Sequence, residues 1–463
     1  MADRPTPRTT PVTARRRTGP LRFGRTLRFT TLRFTSLRFA RTGSVRTRFI
    51  RIAAVGAAAV LVLGACSGQG GNARTASVEA SGDGTLRIGL ILDNSGSQAF
   101  LNAAQLAAAK LAVQEINAAG GHKGRPVELL PEKIGGEVSD QARALVDAKA
   151  DVVIGPTDSS RAPAAIDVLS KAKTVLISPA NTSASLSQYK SDGYYFRTAA
   201  TDVAQSAVLV KLAKDGAAKK LAVVHEQGAY GTDVSAAVSS SAKEAGMEVV
   251  TVAGFKPGEA QKAAATAAEA SPDAVVVIAR DGAQGAIAEL QNAGVTGSQL
   301  ILADGAFRQY GSDLGSRALE GARGIVPGAF PSAHLQGELV AVDKGLKDMT
   351  FAAETYDAVN LAALAAAVAD DDAGASVAAH LIAVSGGSAG ATQPAAAPAV
   401  CRSYKDCLAR VRAGTPVDYD GESGPVRFDE NGDVTAARYM VFTYGADNRA
   451  KLTGTETAGR AQR

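Results

Sequence analysis

The chain has 463 residues, enough for two domains of ordinary size, and its 50 basic and 45 acidic side chains give a formal charge of +5 and a pI near 9.0. The basic excess lies in residues 1–65, which hold fourteen Arg and one acidic residue, Asp3. Residues 66–463 therefore hold 36 basic and 44 acidic side chains, a formal charge of −8, and this balance excludes the nucleic-acid-binding protein that a basic pI often indicates.

An export signal is predicted just ahead of Cys66. A basic stretch, Arg46–Arg51, precedes an apolar run, Ile52–Leu63, and two small residues precede the cysteine. The apolar run is about a dozen residues, whereas a helix that spans a bilayer needs about 20. Leu63–Cys66 resembles a bacterial lipobox, in which the cysteine receives a diacylglyceryl group and becomes the first residue of the mature protein. We therefore expect a lipid at Cys66 to anchor the protein to the extracytoplasmic face of the membrane.

The segments on either side of the signal have simple compositions. Residues 1–44, rich in Arg and Thr, have three interpretations: an overlong start of the signal, sequence ahead of a translation start near Val45, or a membrane-surface peptide. Residues 1–65 together are predicted to be an Arg-rich leader plus a lipoprotein signal peptide. Residues 66–84, which begin with a Gly- and Ser-rich stretch, are predicted to be a flexible tether.

From Thr85 onward, short apolar runs alternate with helical patterns. Strands are predicted at Leu86–Leu92, Val127–Leu130, Val152–Ile154 and Val175–Ile177, and helices at Gln98–Ala119, Ser139–Ala148 and Arg161–Ala172. Nearly continuous apolar strands between helices indicate a parallel sheet covered on both faces.

Two loops rich in hydrogen-bond donors follow neighbouring strands of this series, Gly155–Ser160 and Ser178–Thr182. In parallel α/β sheets, ligands collect beyond the carboxyl ends of the strands, where helix N-termini present free N–H groups. A single loop of this kind is explained by helix capping. Two such loops after adjacent strands favour an anion site.

A second series of the same kind follows residue 200. Its predicted strands are Leu221–Val224, Glu248–Val252, Ala274–Ile278 and Leu300–Leu302, and its helices are Val203–Lys214, Asp233–Ala245, Gln261–Ala270 and Ala283–Ala293. Tyr230 and Asp304 each come after a strand. The Asp304 carboxylate suits a ligand ammonium and Tyr230 suits stacking or a hydrogen bond, although Asp-Gly is also typical of a turn.

The last third of the chain predicts a helix at Ala353–Ala369, a loop or insertion at Ser385–Pro398 and a strand at Ala437–Tyr444. Cys401 and Cys407 are close in the sequence of an exported protein, so we expect a disulfide between them. The four His are far apart and none stands at ligand spacing from a Cys, so no metal site is predicted.

Two motif matches are rejected on their context. Gly386–Gly390 fits the G-x-S-x-G pattern of serine hydrolases, but low-complexity sequence follows where a helix is required. Asp429–Asp433 resembles the start of a calcium loop, but Val434 stands where Gly is needed and Met440 where a bidentate acid is needed. A β-turn is the better interpretation of the second match.

Seven strings taken together resemble the branched-chain amino-acid (leucine/isoleucine/valine) binding proteins of ABC importers, which have the type I periplasmic-binding fold. The resemblance covers about Leu86 to Tyr444. The strings occur in this order: Ala118–Gly121, Val153–Pro156, Ile177–Thr182, Phe196–Ala199, Val223–His225 with Tyr230-Gly231, Tyr356–Val359, and Tyr419–Pro425 with Phe428-Asp429.

The resemblance implies an α/β architecture of two doubly wound parallel-sheet lobes that close like a hinge. Three crossover segments would join them, near 197–202, 325–328 and 428–435. Residues 85–200 and 327–428 would form lobe 1, the latter with an insertion at 385–410. Residues 201–326 and 429–463 would form lobe 2, the latter ending in a C-terminal tail.

The resemblance also implies roles for single residues. Ser159 and the loop of Ala180, Asn181 and Thr182 match the elements that bind the ligand carboxylate in relatives, and Ser160 is a further candidate beside them. Tyr230 matches the tyrosine of the second lobe in relatives, and Asp304 matches the acidic residue that pairs with the ligand amine. Where relatives have aromatic residues, this chain has Arg280 and Asp281. That departure favours a polar or extra-acidic ligand over an aliphatic one.

We therefore expect a lipid-anchored solute-binding protein, of the Gram-positive or actinobacterial type, that passes a small amino acid, zwitterion or carboxylate to ABC permease subunits. No enzymatic activity, cofactor, metal or nucleic-acid partner is expected. The alternative is a receptor of the same fold that signals to a membrane partner. A surface hydrolase is disfavoured because no nucleophile has a suitable context.

Overall fold

The computed structural model describes residues 71–95, 99–328, 330–387 and 397–459, all within one compact unit, Gly68–Arg463. The predicted leader and Cys66 lie outside the described residues, as does most of the predicted loop Ser385–Pro398. Within the described part of the chain, no helix is both long and apolar enough to cross a membrane.

The first sheet is wholly parallel, as the apolar strands predict. Its strands are β1 (Arg87–Leu92), β2 (Glu128–Leu129), β3 (Lys133–Ile134), β4 (Val152–Ile154), β5 (Val175–Ser178) and β6 (Tyr195–Arg197). The order is β2-β1-β4-β5-β6, with β3 also paired to β1. The helices between these strands are α1 (Phe100–Ala118), α2 (Val138–Asp147) and α3 (Ala162–Leu169). The side chains of β4 and β5 are buried, which is consistent with cover on both faces.

The second series forms the parallel part of another sheet, in the order β8-β7-β9-β10-β11. In chain order its elements are α4 (Gln205–Asp215), β7 (Lys220–Glu226), α5 (Ala229–Glu244), β8 (Glu248–Phe255), α6 (Gln261–Glu269), β9 (Ala274–Ile278), α7 (Ala283–Asn292), β10 (Leu300–Leu302) and β11 (Arg323–Pro327). The predicted strands and helices of this series are therefore confirmed, with ends that differ by a few residues.

After β11 the chain returns to the first lobe. It forms α8 (Ala333–Val342), α9 (Ala352–Ala369), α10 (Gly374–Val384), β12 (Ala399–Cys401), α11 (Tyr404–Arg412), β13 (Val417–Gly421) and β14 (Gly424–Pro425). Helices α8 and α9 pack against α1, and β12-β13-β14 form a small separate sheet. The predicted disulfide is present and joins Cys401 of β12 to Cys407 of α11.

Two antiparallel strands complete the second sheet. β15 (Ala436–Tyr444) pairs with β11, and β16 (Ala450–Gly459) pairs with β15. Most of the predicted C-terminal tail is thus a strand, which follows a short turn after Tyr444. The predicted turn at Asp429–Asp433 is confirmed, since Gly432 N–H donates to Asp429 O at 3.1 Å.

The three segments that connect the lobes meet around one small cavity of about 30 Å³. Residues 198–200, 327–328, and 434 with 436–438 line it, one group from each connection. Beside it Arg197 is fully buried, and its Nε lies 2.6 Å from Asp433 Oδ1. This ion pair links the end of β6 to the turn that leads into β15.

The structure corrects the predicted flexible tether. Residues 72–84, here called the strap, are bound along the first lobe. At its start, Asn72 caps a 3₁₀ turn, Ala73–Thr75, and Ala73 N–H donates to Asp192 O at 2.9 Å. Arg74 is buried, its guanidinium donates to Tyr195 O, and it lies 4.9 Å from the centre of the Phe196 ring.

The far end of the strap wraps two buried carboxylates. Ser81 and Gly82 donate their N–H groups to Asp371 at 3.1 and 2.9 Å. The next two residues, 83 and 84, donate theirs to Asp372 at 3.1 and 2.8 Å. Hydrogen bonds from backbone N–H groups to ionised carboxylates are among the stronger ones in proteins. The local composition of residues 66–84 predicted a free chain, because the carboxylates that bind this segment lie almost 300 residues later in the sequence.

Candidate functional site

In lobe 1 the two predicted loops lie side by side at the ends of β4 and β5. The register pairs Ile154 with Ile177, so the loops after both strands begin at the same edge of the sheet. Gly155 has φ +116°, and a Cβ there would lie 2.4 Å from Ile91 O. Only glycine fits this close approach to β1.

The two loops are joined through Ser159 and Thr182. Ser159 Oγ accepts the N–H groups of Thr182 at 3.1 Å and of Ser183 at 3.4 Å. Ser159 and Thr182 are half-buried. Among the described residues the Ser159 hydroxyl donates to none, so its proton can be offered to a ligand oxygen.

Asn181 does not have the position predicted for a ligand donor. It is fully buried, its Nδ2 donates to Pro156 O at 3.1 Å and Thr157 O at 3.0 Å, and its Oδ1 accepts from Tyr195 Oη at 3.2 Å. Every side-chain polar group of Asn181 is therefore used inside lobe 1. The residue holds the two loops together instead of facing a ligand.

Ala180 and Ser160 also make internal contacts. Ala180 N–H donates to Ser178 Oγ at 3.2 Å. Ser160 is exposed, and its hydroxyl donates to Asp158 at 2.7 Å. Of the five residues predicted in lobe 1, the structure therefore leaves Ser159 and Thr182 as the pair with capacity for a ligand.

A polar cluster at the end of β1, not predicted from the sequence, supports the first loop. Asp93 is buried and accepts the N–H groups of Thr157 at 2.8 Å and Asp158 at 3.3 Å. Asn94 and Gln105 both donate to Thr157 Oγ1, at 2.9 and 2.8 Å. The signal was available, since Asp93 follows an apolar strand just as the predicted loops do.

In lobe 2, Tyr230 and Asp304 lie in direct contact. Asp304 Oδ1 accepts from Tyr230 Oη at 2.5 Å and from Gln205 Nε2 at 2.7 Å. Asp304 Oδ2 accepts no hydrogen bond within the described part of the chain, so one carboxylate oxygen can meet a ligand cation. Burial, and then the charge of Asp304, raises the pKa of Tyr230 well above its usual value, so the phenol keeps its proton.

The position of Tyr230 depends on the neighbouring glycine. Gly231 lies in the first turn of α5, where a Cβ would come within 1.8 Å of Glu226 O. The helix can begin this close to the end of β7 because position 231 has no side chain. Tyr230 is thereby brought over the end of the sheet.

Asp202 contacts site residues of both lobes. In the sequence it was only the last residue of a predicted crossover segment. Its N–H donates to Thr182 O at 2.6 Å, while Arg280 Nη2 lies 3.7 Å from its Oδ1. Asp202 is 5% exposed, and Oδ1 has no hydrogen-bond partner in the described chain. Burial, and then the charge of Asp304, raises the pKa of Asp202 to about 6, with Thr182 and Arg280 among the groups that oppose the rise.

Arg280 belongs to this cluster and Asp281 does not. The Arg280 guanidinium lies 4.2 Å from the centre of the Tyr230 ring. Asp281 is exposed, and none of the hydrogen bonds or ion pairs of the described residues involves it. Within the same described part, no three His, Cys, Asp or Glu side chains come together as metal ligands.

Comparison with protein families gives a match over most of the chain. A family model described as periplasmic binding protein matches residues 85–444. A leucine-, isoleucine-, valine-, threonine- and alanine-binding protein of Pseudomonas aeruginosa is 29% identical over 184 residues, which cover 38% of this chain and 48% of that protein. The chain therefore spans about half the length of the curated relatives it matches.

Solved structures share the fold. The branched-chain amino-acid transporter substrate-binding protein LivJ of Streptococcus pneumoniae, in complex with isoleucine, is 23% identical with a TM-score of 0.53 and covers 81% of this chain and 100% of its own. A putative branched-chain amino-acid ABC transporter protein of Rhodospirillum rubrum is 21% identical with a TM-score of 0.60, covering 80% and 100%. Both comparisons confirm the predicted fold, two α/β lobes of the type I periplasmic-binding class.

Proposed function

The chain belongs to the periplasmic binding protein family, and we propose that it captures a small amino acid, or a related zwitterion or carboxylate, between its two lobes. One observation carries the proposal. Asp202 links the two loops of lobe 1, which carry hydroxyl and N–H groups, to the cluster of Tyr230, Asp304 and Arg280 in lobe 2. Donors for a ligand carboxylate and an acceptor for a ligand ammonium thus lie next to each other. Both lie at the ends of parallel strands, where such ligands bind.

In the proposed complex, lobe 1 takes the ligand carboxylate. Ser159 donates its hydroxyl proton, and Thr182 provides a second hydroxyl in the adjoining loop. Asn181, Asp93 and Gln105 act on the ligand indirectly, because their hydrogen bonds fix the shape of both loops. A fixed shape lowers the entropic cost of binding.

Lobe 2 takes the ligand ammonium. Tyr230 and Gln205 both donate to Asp304 Oδ1, which orients the carboxylate and directs Oδ2 to the ligand. A hydrogen bond between an ammonium and a carboxylate is stronger than one between neutral groups. Closure of the lobes about the three connections would exclude water and strengthen both sets of contacts.

We further propose that Cys66 carries a lipid and that the protein delivers its ligand to ABC permease subunits. The lipobox-like Leu63–Cys66 supports the first part. The solved relatives described as branched-chain amino-acid transporter proteins support the second. Mass spectrometry of the protein extracted from membranes tests the lipid, since a diacylglyceryl group would add to the mass of a chain that starts at Cys66.

Asp304→Asn tests the ligand site. The protein is titrated calorimetrically with a panel of amino acids and small carboxylates. Loss of the charge should weaken an amine-bearing ligand by about 1.5–3 kcal/mol, because a hydrogen bond to a charged group is degraded. Asp281→Asn is the matched control, since it removes the same charge at an exposed residue outside the cluster, and it should leave the affinity unchanged.

Two results would contradict the proposal. Equal losses in both variants would mean that general electrostatics, and not the Asp304 contact, determines the affinity. Absence of binding across the whole panel would remove amino-acid capture as the function.

A further inference from the structure

Arg280 is the charged residue of the lobe 2 cluster to which the proposed function gives no role. It follows β9, where Glu226 Oε2 accepts the Arg280 N–H at 2.9 Å. Its stem passes close to Gly305, where a Cβ would lie 2.9 Å from Arg280 Cγ. The guanidinium then lies over Tyr230, the residue that hydrogen-bonds Asp304. Backbone, stem and ring contacts thus hold the positive charge over Tyr230, beside the ammonium site and not in it.

The donors of this guanidinium are unused. The Arg280 side chain is 55% exposed, and its nearest anion, Asp202 Oδ1, is at 3.7 Å, beyond a normal hydrogen bond. Within the described residues the guanidinium donates no hydrogen bond. Arginine carries five N–H donors in a planar fork that fits a carboxylate in a bidentate manner. The side chain is therefore held in place, with its donors open to solvent and without a hydrogen-bond acceptor among the described residues.

The cluster has more acidic than basic side chains, so an anion would be held here by the free guanidinium donors and not by a net positive charge. Asp202 balances Arg280, and it is too deeply buried to meet a ligand itself. Asp304 keeps one oxygen for an ammonium. A zwitterion whose ammonium reaches Asp304 therefore brings the rest of its side chain towards these free donors.

We propose that Arg280 binds a second carboxylate of the ligand, so that the cleft selects amino acids with acidic side chains over those with aliphatic ones. This inference rests on the proposed function and adds one contact to it: the α-carboxylate is bound by lobe 1, the ammonium by Asp304 and the side-chain carboxylate by Arg280. Closure over an aliphatic side chain would leave the guanidinium donors without an acceptor. Sites with polar groups left unpaired in this way discriminate strongly against the wrong ligand.

Calorimetry with L-glutamate, L-aspartate and L-leucine at pH 7.5 tests the inference on the purified protein, on Arg280→Gln and on Arg308→Gln. We expect the wild type to bind an acidic amino acid at least about tenfold more tightly than leucine. Arg280→Gln should lose roughly ten- to a hundredfold for the acidic ligand, with little change for leucine. Arg308 is the matched control, because its guanidinium also lies over a tyrosine ring, 4.6 Å from the centre of Tyr310.

The outcomes separate this inference from the proposed function. Tighter binding of leucine than of both acidic amino acids would overturn the inference and leave amino-acid capture intact. Tighter leucine binding in Arg280→Gln, with no loss for glutamate, would overturn the inference, because Arg280 would then obstruct the ligand site and bind no ligand carboxylate. Equal losses for all ligands, or a lowered melting temperature, would assign Arg280 a structural role. If the wild type binds none of the three, both proposals fail.

Discussion

Glu354, on α9, lies in the cavity where the three connections between the lobes meet. Burial, and then the charge of Asp357, raises its pKa to about 7. The second connection approaches it closely, since a Cβ at Gly328 would lie 2.7 Å from Glu354 Oε1. A carboxyl group at the hinge of the molecule therefore changes its charge near neutral pH.

The raised pKa of Glu354 predicts a definite pH dependence of stability. The folded state holds this proton more tightly than the unfolded chain, so the free energy of unfolding falls as the pH rises from about 4.5 to about 7. Glu354→Gln should thus melt at a temperature close to that of the wild type at pH 4 and at a higher temperature at pH 8. Melting curves across this range measure the difference.

A control at an exposed glutamate makes the result specific. Glu338→Gln, on the outside of α8, should change the melting temperature little at any pH. If Glu354→Gln gave the same offset at pH 4 and pH 8, the effect would come from packing and not from the proton.

At the scale of an element, the position of α5 depends on a glycine in its first turn. Gly231 in its first turn lies against the backbone of Glu226, at the end of β7. The approach is between two main chains, so no side-chain rotation can relieve an added methyl group. The same residue brings Tyr230 to Asp304, and the start of the helix therefore fixes the geometry of the ammonium site.

Two glycine-to-alanine substitutions in helices should have opposite effects. Gly231→Ala should lower the free energy of unfolding by several kcal/mol and weaken ligand binding, because α5 must move away from β7. Gly285→Ala in α7, where nothing lies within 4 Å of the added Cβ, should stabilise the protein by about 0.5–1 kcal/mol. Urea denaturation measures both. A harmless Gly231→Ala would contradict the close approach.

The elements that sequence predicted best are those with local signals. Runs such as Val152–Ile154 and Ala274–Ile278 are apolar throughout, and each is a buried strand. β16 was missed because Ala450–Gly459 is mostly polar and exposed, and only its pairing with β15 makes it a strand. Edge strands with polar side chains carry little apolar pattern.

In the candidate site, the same distinction holds. Tyr230 and Asp304 follow apolar strands and do meet. The internal role of Asn181 depends on Pro156 and Tyr195, from other parts of the chain, and no local pattern indicates it. Asp202 comes after β6, which is not among the strands that the sequence predicted, so a search for polar residues after predicted strands could not find it.

At the scale of the whole molecule, the strap belongs to the folded domain although the family model match begins only at residue 85. It covers Asp371 and Asp372, which are 4% and 2% exposed and accept four of its N–H groups. Removal of the strap would leave two adjacent carboxylates without these donors. The loss of partners for a buried charge is costly.

Shortening the N-terminus should therefore destabilise the protein in two steps. A form that starts at Thr85 should melt several degrees below one that starts at Gly71, because both ends of the strap are lost. A form that starts at Val78 keeps the carboxylate contacts and loses those of Asn72, Ala73 and Arg74, so it should fall between them. Equal melting temperatures for all three forms, measured by calorimetry, would mean that the strap adds nothing to the fold.

The strap also determines which residues would bear a mechanical force applied through the N-terminal segment. If Cys66 carries a lipid as proposed, the chain from there to Asn72 can extend at most about 20 Å. Tension from the membrane would then reach the turn at Ala73–Thr75 first, where Ala73 is bonded to Asp192, and Arg74 is held by Tyr195 and lies against Gly432 in the third connection. The load would be borne by lobe 1 at its hinge side, while the sheet of lobe 2 would remain free to swing.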